Sequence, residues 1–295
     1  MYRLWRSKIA GGIHVCGCGH SGTSILTRII GEHPCIHPIA GESGAAKKER
    51  YSHYRTATDQ FWEETHQAGR TIWVEKTPKH VRNLGFILNA APNSKIILIA
   101  REPCNTIASL KVRYGSFGKS LRRWIYDNQR VLRWSKHRQT YLLRYEDLVG
   151  NPSAVLSEVM AFVGFDYTDS QLNYHHQPVH WYSKPSSQKP EDCESSGTAD
   201  ETEKHSEFSE ESDTLKGMPK ATGSDPLNPE APDPKAHNSY RNHQINQPLF
   251  NRADKYLEIL TAREIEITRR RTRRLAKQLG YSLEGTESST AQAPF

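Results

Sequence analysis

The sequence predicts an α/β chain: a P-loop-like, doubly wound parallel sheet flanked by helices, interrupted late by a disordered acidic insertion. Three observations predict it. Apolar runs of strand length alternate with segments of helical period over roughly the first 165 residues. The stretch KIILIA at 95–100 is almost uninterruptedly apolar, as in strands covered on both faces of a parallel sheet. GIHVCG at 12–17 runs into the glycine-rich GHSGTS and then a helical pattern, the strand–turn–helix context in which backbone N–H groups hold phosphate.

The elements follow in order. Residues 12–17 read as a short buried strand. TSILTRIIGEH follows with Ile25, Ile29 and Ile30 at helical spacing, and Pro34 with the loop to Gly44 ends that unit. Thr58 as a cap predicts a helix through Gln67, with Gly69 beyond its end. TIWVE at 71–75 reads as a strand, and Pro78 opens a helix through Asn89. The strand at 95–100 carries Arg101, Glu102 and Pro103 at its carboxyl end. Helices are expected at about 104–113 and 119–137, a strand at 141–145 (YLLRY), and a helix from Asn151 and Pro152 through Val163. Ligands of such sheets bind at the carboxyl ends of strands; residues 17–24, 101–103 and 145–147 fall there.

With 295 residues the chain is long enough for one large or two small domains with a real core. A hydrophobic fraction of 36% and a mean hydropathy of −0.74 are low for a compact enzyme. The deficit is concentrated after Ser183, where PEDCESSGTADETEKHSEFSEESD offers too little apolar surface to offset chain entropy. The expected organisation is a core over 1–182, a disordered Ser/Pro-rich acidic insertion over 183–236, a C-terminal part of the same domain over 237–281, and a flexible tail over 282–295. The insertion reads as a tolerated surface loop or as an acidic tether competing for a basic cleft. TRRRTRR in the last helix, about 261–279, reads as a solvated face or as a patch for an anionic polymer.

A net charge of +7 and a pI near 9.1 fit an anionic ligand, nucleic acid or an anionic surface without choosing among them. The five cysteines, Cys16, Cys18, Cys35, Cys104 and Cys193, lack zinc spacing and read as packed thiols of a reducing compartment. Three histidines in HHQPVHW (175–181) have no carboxylate or cysteine to complete a metal set. No metal is expected. No stretch approaches the ~20 apolar residues of a membrane helix, and the first strand begins too early to leave room for a signal peptide. The expectation is a cytoplasmic chain with no membrane segment.

The chemistry sits in GCGHSGTS at 17–24. Gly17, Gly22 and Ser24 keep the spacing of a nucleotide-phosphate loop, but Thr23 stands where its lysine belongs. N–H groups of residues 20–24 can converge on an anion at a helix amino end, with Gly19 and Gly22 permitting the tight path and Thr23 and Ser24 adding hydroxyls. Loss of the lysine argues against ATP or GTP hydrolysis. A small-molecule kinase and a non-catalytic binder of anionic polymers remain the competing readings.

Four segments in order, GCGHSGTSILTRIIGEHP, VEKTPKHV, IILIAREPCNTIASLKVR and LRYEDLVGNPSAVLSEVMAFVGF, with RNHQINQPLF near the end, are together similar to the sulfotransferases that use 3′-phosphoadenosine 5′-phosphosulfate (PAPS). The resemblance covers about 10–180 and 237–281. It implies transfer of a sulfuryl group from PAPS, as co-substrate, to a hydroxyl or amine acceptor. The EKTP segment leans towards carbohydrate, the Glu after HP also resembles tyrosylprotein-type members, and no nucleic-acid partner is implied. It implies that Gly19, His20, Ser21, Gly22, Thr23 and Ser24 hold the 5′-phosphosulfate. Arg101, a guanidinium suited to phosphate, with Ser109 and Arg113 on the next helix, would hold the 3′-phosphate. Arg241 and Asn242 would close over that phosphate, and Tyr145 would lie near the cofactor. Glu42 is the implied base, with Glu32, expected to face water, as its rival. Lys76 is the implied stabiliser of the leaving group, with Glu75 orienting Lys76 or pairing with an arginine. His20 departs from the family, which usually has Lys or Arg there. Trp62, Trp124 and Trp181 read as core or as acceptor-stacking residues.

Overall fold

The structure, a computed structural model, describes residues 9–182, 234–249 and 254–282. Five strands form one sheet: β1 (Ile13–Gly17), β2 (Ile36–Pro38), β3 (Ile72–Lys76), β4 (Lys95–Ala100) and β5 (Thr140–Arg144). The order is β2-β3-β1-β4-β5 and every neighbouring pair is parallel. The period of two along each strand divides the core into two layers. Ile13, Val15, Ile97 and Ile99 pack on one face with α1 (Thr23–Gly31) and α7 (Pro152–Val163). Cys16, Ile96, Leu98 and Trp73 pack on the other with α2 (Tyr51–Gln67), α3 (Leu84–Ala90), α4 (Pro103–Tyr114) and α5 (Phe117–Trp134). The chain leaves central β1 for β2 and β3 on one side, then crosses to β4 and β5 on the other. The crevice where these directions diverge lies at the carboxyl end of β1, where such sheets bind ligands.

Several expected boundaries move. The loop after Pro34 contains β2. Helix α2 begins at Tyr51, not Thr58: the Thr58 hydroxyl bonds back to the Tyr54 and Arg55 carbonyls inside the helix, so it caps nothing. The helix expected at 78–89 is a 3-10 turn, Pro78–Arg82, followed by α3. Tyr145 opens a short helix, α6 (Tyr145–Gly150), instead of closing β5. A second 3-10 segment, Asp169–His176, was not anticipated. Helix α8 (Pro234–Ile245) starts inside the span read as insertion; residues 183–233, with Cys193, and the tail from 283 lie outside the described residues. Helices α9 (Tyr256–Ile259) and α10 (Ala262–Gln278) are the last elements of the described residues. Thr261 and Glu264 form a capping box at the start of α10, and Arg270, Arg271, Arg273 and Arg274 lie exposed along it. Cys16, Cys18 and Cys104 are buried free thiols, and burial pushes their pKa values up. Among the described residues no helix is long and apolar enough to cross a membrane.

Candidate active site

The loop after β1 owes its path to Gly22 and His20. Gly22 sits at φ 96 as the N-cap of α1, and a Cβ there would lie 2.5 Å from the Tyr145 ring, so no other residue fits. His20 takes the left-handed conformation at φ 68. Gly19, expected to be needed for the turn, has no such backbone: a Cβ on it would meet only Arg123 Nη2 at 3.7 Å. No side chain caps α1, whose first intrahelical bond runs from Leu26 N–H to the Gly22 carbonyl. The amino-terminal N–H groups of α1 therefore point at the loop. Ser21 Oγ is buried and has no hydrogen-bond partner among the described residues. Such an orphaned donor beside a helix amino end fits an oxyanion.

Two of the residues expected at the 3′ end, Arg101 after β4 and Ser109 on α4, reach this loop. Arg101 donates from Nη1 to the His20 carbonyl at 3.4 Å and stacks over the Tyr145 ring, 4.6 Å from its centroid. His20 Nδ1 and Ser109 Oγ share a 2.8 Å hydrogen bond. Glu102 caps α4 by accepting from the N–H groups of Cys104 and Asn105, which fixes the turn that aims Arg101. Arg113 lies one turn beyond Ser109 and is exposed.

A second group gathers on Ser24. Lys76, the last residue of β3, is 0% exposed; its Nζ donates to Tyr182 Oη at 2.8 Å and to Glu42 Oε1 at 3.1 Å. Arg241 donates from Nη2 to the same Glu42 oxygen at 2.6 Å and to Tyr182 Oη at 3.1 Å. Its guanidinium lies 3.8 Å from the centroid of the Tyr182 ring. Tyr182 Oη lies 3.1 Å from Ser24 Oγ. With two cations donating to it, the phenol has its own proton left for Ser24. Burial alone would raise the Glu42 carboxyl pKa, but the Lys76 ammonium and Arg241 guanidinium outweigh it and hold the group below the usual carboxylate range. Arg241 was expected over the 3′-phosphate; its bonds go to Glu42 and Tyr182 instead. Asn242 likewise serves the backbone: with Asn246 it brackets residues 179–182 through four hydrogen bonds of 2.9–3.0 Å. That clamp places Tyr182, which sequence reasoning missed. The i, i+4 asparagine pair in RNHQIN was the available signal.

Alternation along β3 sends Glu75 to the face opposite Lys76. Glu75 therefore neither orients Lys76 nor pairs with an arginine. The β1–β3 ladder sets His14 opposite it, and His14 Nδ1 and His80 Nδ1 approach Glu75 Oε2 at 3.1 and 3.2 Å, the second poorly aligned. Ser43 donates to Oε1 at 2.6 Å, and Thr77 Oγ1 bonds the same oxygen. The outer ring nitrogens are also engaged, His14 Nε2 by Tyr54 Oη at 3.0 Å and His80 Nε2 by the Ala46 N–H at 3.1 Å. Burial opposes the Glu75 charge, yet the two imidazoles and their hydrogen bonds hold its pKa well below the usual value. The three buried ligand atoms lie within 4.8 Å of one another, metal-like in spacing. Hydrogen bonds also join them into a brace that ties residues 43–46, next to Glu42, to β3.

Other candidates resolve simply. Glu32 does not face water but pairs with Arg28. Trp124 is fully buried, its Nε1 donating to the Arg101 carbonyl at 3.3 Å, whereas Trp62 packs at the core edge and donates to Ala10. Trp181 is half-buried beside Gly41. Arg123, also missed, pairs with buried Asp127, which in turn accepts from Arg82 at 2.7 Å; this places a guanidinium over Gly19. A cleft of 370 Å³ opens on Glu42. A larger one, 610 Å³, lies at the amino end of β2 between His33, Cys35 and Asp166, and none of the expected site residues line it.

Residues 41–169 match the model of the sulfotransferase family. The match begins after the phosphate loop and includes Glu42, Lys76, Arg101, Ser109, Arg113 and Tyr145. Among solved structures the chain is similar to the sulfotransferase domain from the curacin biosynthetic pathway: 17% identity, TM-score 0.57, covering 94% of this chain and 100% of that one. At this identity the likeness speaks for the fold. The sulfotransferase domain of the Synechococcus PCC 7002 olefin synthase follows at 15% identity and TM-score 0.47, over 59% of this chain and 80% of that one. No curated protein matches.

Proposed function

We propose that the chain is a sulfotransferase that moves the sulfuryl group of PAPS onto a hydroxyl of a carbohydrate acceptor. One observation carries the reading: a carboxylate, a buried ammonium and a guanidinium meet around Tyr182 Oη, itself bonded to Ser24 of the phosphate loop. A base and two cations at the tip of an anion-binding loop are what in-line transfer of an anionic group requires.

The roles follow from the geometry. Residues 19–24 would take the 5′ end, with Ser21 Oγ and the α1 N–H groups as donors. Arg101 and Ser109 would take the 3′-phosphate, with Arg113 at its outer side and Tyr145 holding the guanidinium. Glu42, whose Oε1 is occupied by two cations, keeps Oε2 for the acceptor hydroxyl. It would remove that proton as the oxygen attacks sulfur, worth about 10²–10⁴-fold. Lys76 would neutralise the oxygen that bridged sulfur and phosphorus as that bond breaks. Products are the sulfate ester, adenosine 3′,5′-bisphosphate (PAP) and a proton. His20 in place of the usual Lys or Arg donates to the 5′ group and links it to Ser109. We further propose that 1–182 and the C-terminal part form one catalytic domain, since α8 supplies Arg241 and clamps Tyr182.

The test is radiolabelled PAPS offered with glycans, peptides, phenols and amines. Wild-type protein yields a labelled sugar, and Glu42→Gln loses that product. Magnesium-dependent ATP turnover with no labelled product would favour the kinase instead.

A further inference from the structure

Three lysines line the cleft that opens on Glu42. Lys47 and Lys48 come from the loop after β2 and Lys79 from the 3-10 turn after β3, with His53 of α2 beside them. A merely solvated charge run comes from one face of one helix; here two separate elements bring ammonium groups to one 370 Å³ space, a volume suited to a small ligand. The single carboxylate in that lining, Glu42, is already matched by Lys76 and Arg241. Lys47, Lys48 and Lys79 make no ion pair among the described residues. Glu49, the nearest acid in sequence, turns away at φ 50 and accepts from Asn83 at 2.7 Å. Lys79 is further crowded: desolvation first, then Arg123, Lys47 and Arg82, lower its pKa. Like charges gathered without a counterion are relieved when an anion enters. The anionic ends of PAPS are provided for elsewhere, at the loop and at Arg101 with Ser109.

Resting on the sulfuryl-transfer reading, we propose that the acceptor itself carries an acidic group. It is a sugar bearing a carboxylate or sulfate ester, bound with that group among Lys47, Lys48 and Lys79 and with a neighbouring hydroxyl at Glu42. The lysines select and orient the acceptor, while Glu42 and Lys76 do the chemistry.

The experiment compares nitrophenyl β-glucuronide with nitrophenyl β-glucoside, which differ at one carboxylate. Wild-type kcat/KM favours the glucuronide by on the order of tenfold. The preference shrinks with added salt and collapses in Lys47→Ala/Lys48→Ala. Equal rates for the wild type, or a preference that survives the double substitution, overturns the proposal. Binding of both sugars to PAP-loaded protein, followed by saturation-transfer NMR, decides the matter if neither is turned over. Glucuronide binding lost in the double variant supports the proposal, and equal binding of the two sugars overturns it. Failure of the parent reading looks different: no affinity for PAP, and no labelled product from any acceptor.

Discussion

Glu42 is the residue on which the reading turns, and its electrostatics are specific. Because Lys76 and Arg241 hold its pKa down, the carboxylate is ionised throughout the neutral range in the free protein. Its ion pairs stabilise the fold above the ordinary carboxylate pKa, and that stabilisation is lost as pH falls through the lowered value. Carbon-13 NMR titration should place the Glu42 midpoint below the ordinary 4.5 and move it upward in Arg241→Met; a midpoint indifferent to Arg241 contradicts the pairing. In turnover, Glu42→Gln should lower kcat by about 10²–10⁴-fold while PAP still binds. Tyr182→Phe should weaken PAP binding and lower kcat together, on the order of tenfold, because it unties Ser24 from the cations. That Glu42 and Lys76 could meet was readable from AGESG after β2 and EKTP at the end of β3, and the structure brings the two within 3.1 Å. Tyr182 was not, because asparagines 60 and more residues away set its position. The bonds of Arg241 to Glu42 and Tyr182 were not readable either, since sequence order says nothing about where α8 crosses the loop.

At the scale of elements, the β1 turn and β3 carry the design. Strand, glycine turn and helix could be read directly, but the turn's geometry could not: the left-handed residues are His20 and Gly22, and Gly19 is not one of them. Gly22→Ala should cost about 2 kcal/mol in urea unfolding and abolish PAP binding, since it adds strain at φ 96 and a Cβ 2.5 Å from Tyr145. A variant as stable as wild type that still bound PAP would contradict that geometry. Strand β3 places Lys76 and Glu75 on opposite faces, a consequence of period two that the motif match obscured. Glu75→Gln leaves Ser43, Thr77 and two imidazoles around a weaker acceptor, and urea unfolding should show a loss of about 3 kcal/mol. Short or half-helical pieces escaped the sequence for a physical reason. Three-residue β2, the 3-10 turns and α6 are held by packing and loop hydrogen bonds, with little periodicity of their own.

For the whole molecule, the sheet and its crevice were legible because alternating apolar runs and helical segments leave few topologies. The proposed acceptor preference was not, because the lysines it rests on stand apart in sequence and only the fold brings them to one cleft. Acid should destabilise the protein through the brace beneath the site. Burial lowers the His14 pKa, so the folded state resists a proton that the unfolded chain accepts below about 6.5. Stability is full above that pH and falls below it, with Glu75 adding to the loss at lower pH. Urea midpoints at pH 7.5 and 5.5 test this, and equal midpoints would contradict it. In the proposed site one cleft holds both anionic ends of the same nucleotide, and calorimetric titration of PAP against adenosine 5′-phosphate, in wild type and Arg101→Ala, reads this out. Wild type should prefer PAP by on the order of a hundredfold, and Arg101→Ala should bind the two alike; equal wild-type affinities, or a preference untouched by Arg101→Ala, would rule out the two-ended site.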